Sequence, residues 1–340
     1  MITSELPLKY ISHLSVLDPE FAPLVPLIPP NESPLSIEAL RASVPVVTAG
    51  VKKFYHSRLP AETEFRVEHH MVPVDGGEIR VRCTIPTGSG EQKTFPVLVW
   101  YHGGGFAIGD IEMDDYQLKI MSVRLQISVV SVEYRLAPDY SYPVPWDDCY
   151  AATKWVIDHT SLLSASLNKG FIVAGGSAGG NLAAYIAQRA RDDPVFSRTP
   201  ITGQYLQCPC LLHPELSPEE YRSELLSMEE NKDGPGLTRE MMTAFAHWCG
   251  APEGYPGYSV LLNPSRTGLA PAYIQVAGTD VLRDEGLLYA KLLKEAGVKT
   301  RVDIYPGLPH VFAWYFPHLT ASKKLEKDTD EAIKWLLSKP

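Results

Sequence analysis

The chain has 340 residues, 45% of them hydrophobic and 21% charged, which is enough apolar material for one large core or two small ones. Its formal net charge of −9 excludes an electrostatic nucleic-acid binder, because nothing would offset the phosphate charge. No apolar run approaches the length needed to span a bilayer, so membrane insertion is not expected.

The N-terminal "MITSELPLKYISHL" carries an acid and prolines and has no continuous apolar stretch after a basic start, so no secretory leader is expected. The terminal "LLSKP" offers no lipidation site and is not the peroxisomal tripeptide. Residues 1–60 are proline-rich, with one modest helical stretch in "SIEALRASVPVV" and "GVKKFYHSRL" and no strand pattern. From about residue 65, "RVEHHMVPV" and "EIRVRCTIP" alternate around Gly76-Gly77, the pattern of a β-hairpin. Short continuous apolar runs follow, "PVLVWYH", "ISVVSVEY", "GFIVAG" and "AYIQVAG", with a more alternating "VKTRVDIY". Between them lie the helix-like "DDYQLKIMSVRLQ", "WDDCYAATKWVIDH", "AGGNLAAYIAQRARD" and "DEGLLYAKLLKEAG", and at the end "ASKKLEKDTDEAIKWLL". Strands buried on both faces that alternate with helices predict an α/β fold, a mostly parallel sheet flanked by helices.

One segment breaks the rhythm. Residues 211–263 show helix patterns on either side of "DGPG" and no clear strand. The division expected is therefore residues 1–60 as the N-terminal part of a helical cap, 61–210 as the first part of the core, 211–263 as a cap insertion, and 264–340 as the second part of the core. Cys83, Cys149, Cys208, Cys210 and Cys249 form no CxxC pair; the two closest, Cys208 and Cys210 in the apolar "QCPCLL", read as buried thiols, and a reducing, cytoplasmic setting with no zinc spacing is expected.

Chemistry concentrates in "FIVAGGSAGGN". Gly175, Ser177 and Gly179 make G-x-S-x-G between a buried-strand pattern and a helix, the context in which the motif is a nucleophile elbow. The serine must hold a positive φ, so the residues two before and two after it need to be nearly side-chain-free. A glycine-rich turn is the plainer reading. A P-loop would need Lys and Ser/Thr after its last glycine, and Gly180-Asn181 stand there. Upstream, "WYHGGGFAIGD" ends an apolar strand with three glycines that let backbone N–H groups come close to an oxygen turning negative. The donors expected are Gly104, Gly105 and Ala178, with His102 orienting the loop. The base and its acid should follow the serine in the order acid, then His. Asp280 ends the run "YIQVAGTD", and His310 lies in "YPGLPHVF" beyond the next strand. His318 is further from any strand end, and Asp284 starts a helix, where an acid serves as an N-terminal residue.

These stretches, with "VEYRLAPDYSYPVPWDD", make the sequence resemble the hormone-sensitive-lipase-like α/β-hydrolases over residues 65–340. That group includes microbial carboxylesterases, arylacetamide deacetylase and the gibberellin receptors. The resemblance implies an α/β-hydrolase fold with Ser177 as nucleophile, His310 as general base and Asp280 as its partner. It implies a two-part cap, and Arg135 tying loops near the site. One departure is Gly176, where family members usually carry Asp or Thr. The function expected is a serine carboxylesterase acting on small, short-acyl esters, such as an acetate ester of a secondary metabolite, with neither metal nor organic cofactor. A cyclase or lyase on the same scaffold is the alternative, and a small-molecule receptor is disfavoured because His310 is present. Phe106, Met242 and Trp248 are expected to touch the substrate, although the cap side chains could equally pack the cap on the sheet. The partner expected is the small-molecule ester, and the assembly a homodimer.

Overall fold

The computed structural model describes residues 13–28, 35–87 and 94–338. The expectations about a leader in residues 1–12 and an address at 339–340 lie outside them. Alternating apolar and polar side chains pair β1 (Phe65–Val74) with β2 (Gly77–Pro86) as an antiparallel hairpin, and Gly76 supplies the positive φ of its turn. The continuous apolar runs become β3 (Val97–Tyr101), β4 (Ser128–Glu133), β5 (Phe171–Gly176) and β7 (Ala272–Ala277). With β6 (Gly203–Gln207) and β8 (Thr300–Tyr305) they complete an eight-stranded sheet of order β1-β2-β4-β3-β5-β6-β7-β8. Every pair from β4 to β8 is parallel.

Parallel strands need crossovers, and helices supply them on both faces. On one face α3 (Val144–Asp158), α4 (Ala178–Asp192) and α7 (Arg283–Glu295) pack on Val99, Tyr101 and Val173. On the other, α2 (Asp115–Leu125) and α9 (Thr320–Leu337) cover Leu98, Trp100, Ala174 and Tyr205. Burying both faces makes the sheet rigid and leaves its C-terminal edge as the place where loops can carry chemistry.

Two helical segments roof that edge. One is α1 (Ile37–Tyr55), capped by Ser36, whose Oγ accepts from Ala39 N at 3.2 Å. The other lies in the expected insertion, which is helix and loop: the one-turn α5 (Ser227–Glu230), then α6 (Arg239–Cys249). Thr238 caps the start of α6 through Met241 N, and Gly250 ends it in the left-handed conformation. A short α8 (Phe312–Tyr315) follows His310. Residues 13–28 run back over the loop after β8, where Gly307 N donates to Leu14 O and Asp18 N donates to Gly307 O. No helix among the described residues is long and apolar enough to cross a membrane.

Candidate active site

β5 ends at Gly176, and the chain reverses into α4 through a single residue, Ser177, at φ 56° and ψ −118°. Its neighbours make that turn attainable. A Cβ on Gly175 would lie 2.4 Å from the Gly179 backbone, and one on Gly179 would lie 1.9 Å from Tyr101 O. Ser177 N donates to Gln207 O at 2.8 Å and Ser177 O accepts from Cys210 N at 3.2 Å, which fixes the elbow against the end of β6. Holding a non-glycine residue there costs about 1–3 kcal/mol, a strain borne by the surrounding packing. Phe106 (φ 63°) and Val311 (φ 43°), on the same cavity wall, share the unusual conformation. In contrast to α1 and α6, no side chain caps α4.

Asp280 and His310 come from the loops after β7 and β8. Those loops are stitched together by Gly278 N donating to Tyr305 O and Thr279 N donating to Leu308 O. His310 Nδ1 stands 2.6 Å from Asp280 Oδ2, while Asp280 Oδ1 accepts from Leu282 N at 2.9 Å. Both side chains are buried, so the carboxylate meets fixed donors in place of water. Ser177 and His310 face one cavity, and among the described residues Ser177 Oγ makes no hydrogen bond. Serine–base contacts commonly tighten only when substrate arrives. Asp284 is set apart from this pair. Its carboxylate binds Arg283 at 2.7 Å and accepts from Leu226 N and Ser227 N, tying α7 to α5. His318 is exposed and packs edge-on to Phe316.

The loop after β3 carries the remaining expected groups. Gly104 and Gly105 have positive φ, and a Cβ on either would fall 2.2 Å from Ile108 O or from the Phe245 ring, respectively. A Cβ on Gly103 would come within 3.5 Å of Ser177 Cβ, so this loop passes directly beside the serine. The N–H groups of Gly104, Gly105 and Ala178 donate to no described residue. His102 braces the loop: its Nδ1 is 2.8 Å from Gly103 O, its ring stacks on Tyr134, and burial lowers its pKa, which keeps it neutral. Arg135 grips Asp148 with three hydrogen bonds and donates to Asp75 O, joining the end of β4 to α3 and the hairpin turn.

The cavity has a volume of about 180 Å³ and is roofed by Val44 of α1, Met242 and Phe245 of α6, and Trp314 of α8. Of the side chains expected to touch the substrate, Phe106 and Met242 line it. Trp248 does not. It packs edge-on against Phe245, which faces the cavity, and lines a separate groove beside His213 and Ala251. Sequence reasoning also missed Asn181 in the first turn of α4. Fully buried, it accepts from Trp146 Nε1 and donates to Cys210 O and Tyr258 O, pinning the elbow helix to the insertion. Missed as well were Asp114, Gln117 and Gln207 on the cavity wall. Burial raises the Asp114 carboxyl to about 6.

Among the described residues one group has the spacing of metal ligands, Cys208, Asp280 and His310. Burial and the neighbouring Asp280 push the Cys208 thiol well up, so it stays protonated, and His310 Nδ1 already holds Asp280. A hydrogen-bonded carboxylate–imidazole pair describes these atoms better than a cation site.

Residues 98–314 match the family model described as an alpha/beta hydrolase fold, and the chain belongs to that family, in its hormone-sensitive-lipase-like group. It is 38% identical over 268 residues to esterase LipI of Mycobacterium tuberculosis, across 76% of this chain and 78% of that protein. It is 34% identical over 251 residues to versiconal hemiacetal acetate esterase of Dothistroma septosporum, across 73% of this chain and 76% of the relative. Among solved structures, vibralactone cyclase superposes with a TM-score of 0.94 at 42% identity, covering 99% of this chain and 98% of the other.

Proposed function

We propose that the chain is a serine carboxylesterase that hydrolyses small, short-acyl esters. The observation that carries this reading is that Ser177, on its strained elbow, opens into the same cavity as His310, whose other ring nitrogen is held by Asp280. On this reading Ser177 Oγ attacks the ester carbonyl as its proton passes to His310 Nε2. Asp280 keeps the imidazole in the tautomer whose Nε2 lone pair faces the serine and stabilises the imidazolium that forms. The oxygen that becomes negative is met by the unengaged N–H groups of Gly104, Gly105 and Ala178 and by the positive end of α4. Collapse breaks the ester C–O bond, and the imidazolium proton leaves with the alcohol. Water, deprotonated by the same nitrogen, then attacks the acyl-enzyme and releases the carboxylic acid and Ser177.

Size supports the short acyl group. An apolar cavity of about 150 Å³ holds a benzene ring, so a space of about 180 Å³ beside Ser177 suits a short acyl chain and a compact alcohol. Similarity to an acetate esterase points the same way. The likeness to vibralactone cyclase favours a second reading, in which a hydroxyl of the substrate itself takes the acyl group from Ser177. One experiment separates them. The protein is incubated in ¹⁸O-water with p-nitrophenyl esters from acetate to palmitate, and the products are weighed by mass spectrometry. Hydrolysis puts one ¹⁸O in the acid and is fastest at acetate to butyrate. Rates rising steadily to palmitate contradict the short-acyl reading, and a natural ester converted without ¹⁸O uptake would establish the cyclase.

A further inference from the structure

Four glycines surround Ser177, and three of them have no room for a side chain. A Cβ would lie 2.4 Å from backbone at Gly175, 1.9 Å at Gly179, and 2.9 Å from Pro209 Cβ at Gly180. Gly176 is different. Its φ is outside the left-handed region, and a Cβ there would meet only Gln207 Oε1, at an ordinary contact distance of 3.4 Å. Neither backbone conformation nor packing requires glycine at the position before the nucleophile. Its effect is the space it leaves.

Strand register shows what borders that space. Trp100, Ala174 and Tyr205 form one row across β3, β5 and β6, and Gly176 and Gln207 are paired two residues further along. Residues two apart share a face, so Gly176 and Gln207 lie on the same face as Trp100. There Asp114 accepts from Trp100 Nε1 at 2.7 Å and from Gln117 Nε2 at 2.9 Å, which occupies both carboxylate oxygens. The Gln117 carbonyl oxygen and the whole Gln207 carboxamide make no hydrogen bond to any described residue, and both residues line the cavity beside Ser177.

We propose that Gly176 holds open a polar slot beside the nucleophile, in which Gln207 and Gln117 bind a hydroxyl-bearing arm of the ester substrate. This rests on the esterase reading and names its substrate class, a hydroxylated ester. A hydroxyl matches the groups on offer, because it donates to either carbonyl oxygen and accepts from the Gln207 NH₂. A carboxylate arm would be repelled by Asp114, and an alkyl arm would cover the Gln207 amide without pairing it.

The test compares kcat/KM within matched pairs, each rate normalised to hydroxide-catalysed hydrolysis. For the acyl side the pair is p-nitrophenyl butyrate and p-nitrophenyl 3-hydroxybutyrate; for the alcohol side it is 3-methoxyphenyl acetate and 3-hydroxyphenyl acetate. The hydroxylated ester should be preferred by at least about tenfold in one pair. Gln207→Leu and Gly176→Thr should each bring that ratio close to one. If Gly176→Thr does not fold, Gln207→Leu decides alone. A ratio near one in both pairs for the unmodified protein, or a preference that survives Gln207→Leu, overturns the slot. If none of the four esters is hydrolysed, the esterase reading fails, and the pairs are titrated calorimetrically against Ser177→Ala protein. Tighter binding of a hydroxylated member then supports the slot, and equal binding overturns it.

Discussion

The carbonyl oxygen of Tyr101 stands where Gly179 would carry its Cβ, 1.9 Å from the ideal position. The first turn of α4 is thus pressed against the end of β3, which also launches the glycine loop beside Ser177. Gly179→Ala has to force the two apart. It should lower stability by about 1–3 kcal/mol or more, as overpacking does, measured by denaturant unfolding. Gly176→Ala, which has room for its methyl, should melt close to the unmodified protein.

His310→Ala should abolish esterase turnover, whereas His318→Ala should leave it nearly unchanged, since His318 is exposed and does not line the cavity. Stopped assays of both variants beside the unmodified protein check this. Full activity in His310→Ala would refute the assignment.

Asp280→Asn and Asp284→Asn should separate chemistry from stability. The first should cut kcat by roughly 10⁴, the scale of losing the imidazole's correct tautomer, with little change in melting temperature. The second breaks a buried pair with Arg283 and weakens the hold on Leu226 and Ser227. Loss of one partner of a buried pair costs about 3–5 kcal/mol, so its signature should be a lower Tm.

Glu285 makes stability depend on pH. It is fully buried, accepts from Leu211 N and Leu212 N, and burial raises its carboxyl from 4.5 to about 8. Between those values the unfolded chain has released this proton and the folded chain still holds it. Unfolding then releases a proton, and the contribution to stability falls as pH rises from about 4.5 to about 8. Glu285→Gln keeps an acceptor for both N–H groups and cannot ionise. The difference in Tm between variant and unmodified protein should therefore shift in favour of the variant through that window. A difference that stays constant with pH would contradict the assignment.

Phe245 sets the depth of the cavity, with its ring where a Gly105 Cβ would be. Phe245→Ala should move the preferred acyl length upward by several carbons in a p-nitrophenyl ester series. It should also cost about 3–5 kcal/mol of stability, as for other buried Phe→Ala changes.

Much of this architecture is legible in the sequence because burial on both faces writes strands as unbroken apolar runs, as in "PVLVWYH" and "GFIVAG". The strand that escapes, β6, reads "GQYLQ" and carries two glutamines. Gln204 is reconciled with burial by donating to Ala270 O, and Gln207 by facing the cavity, neither of which a local pattern can show. Ser177, Asp280 and His310 stand out because each follows the end of a strand in a loop of unusual composition. The cavity wall does not, because Asp114, Gln117 and Trp314 lie in helices or just beside them, where such residues look like ordinary surface or core. Helix α5 is a single turn whose start is held by Asp284 and whose Glu230 pairs with Arg283, both on α7, contacts with no local signature.

The bonds from Gly307 to Leu14 and Asp18 join two segments that lie far apart along the chain. Closing so long a loop is entropically slow, and its reward comes only when almost every strand is in place. The histidine loop is thus among the last regions to gain its final support. A half-folded chain would present the Ser177 elbow before the loop that carries His310 is held in its final place.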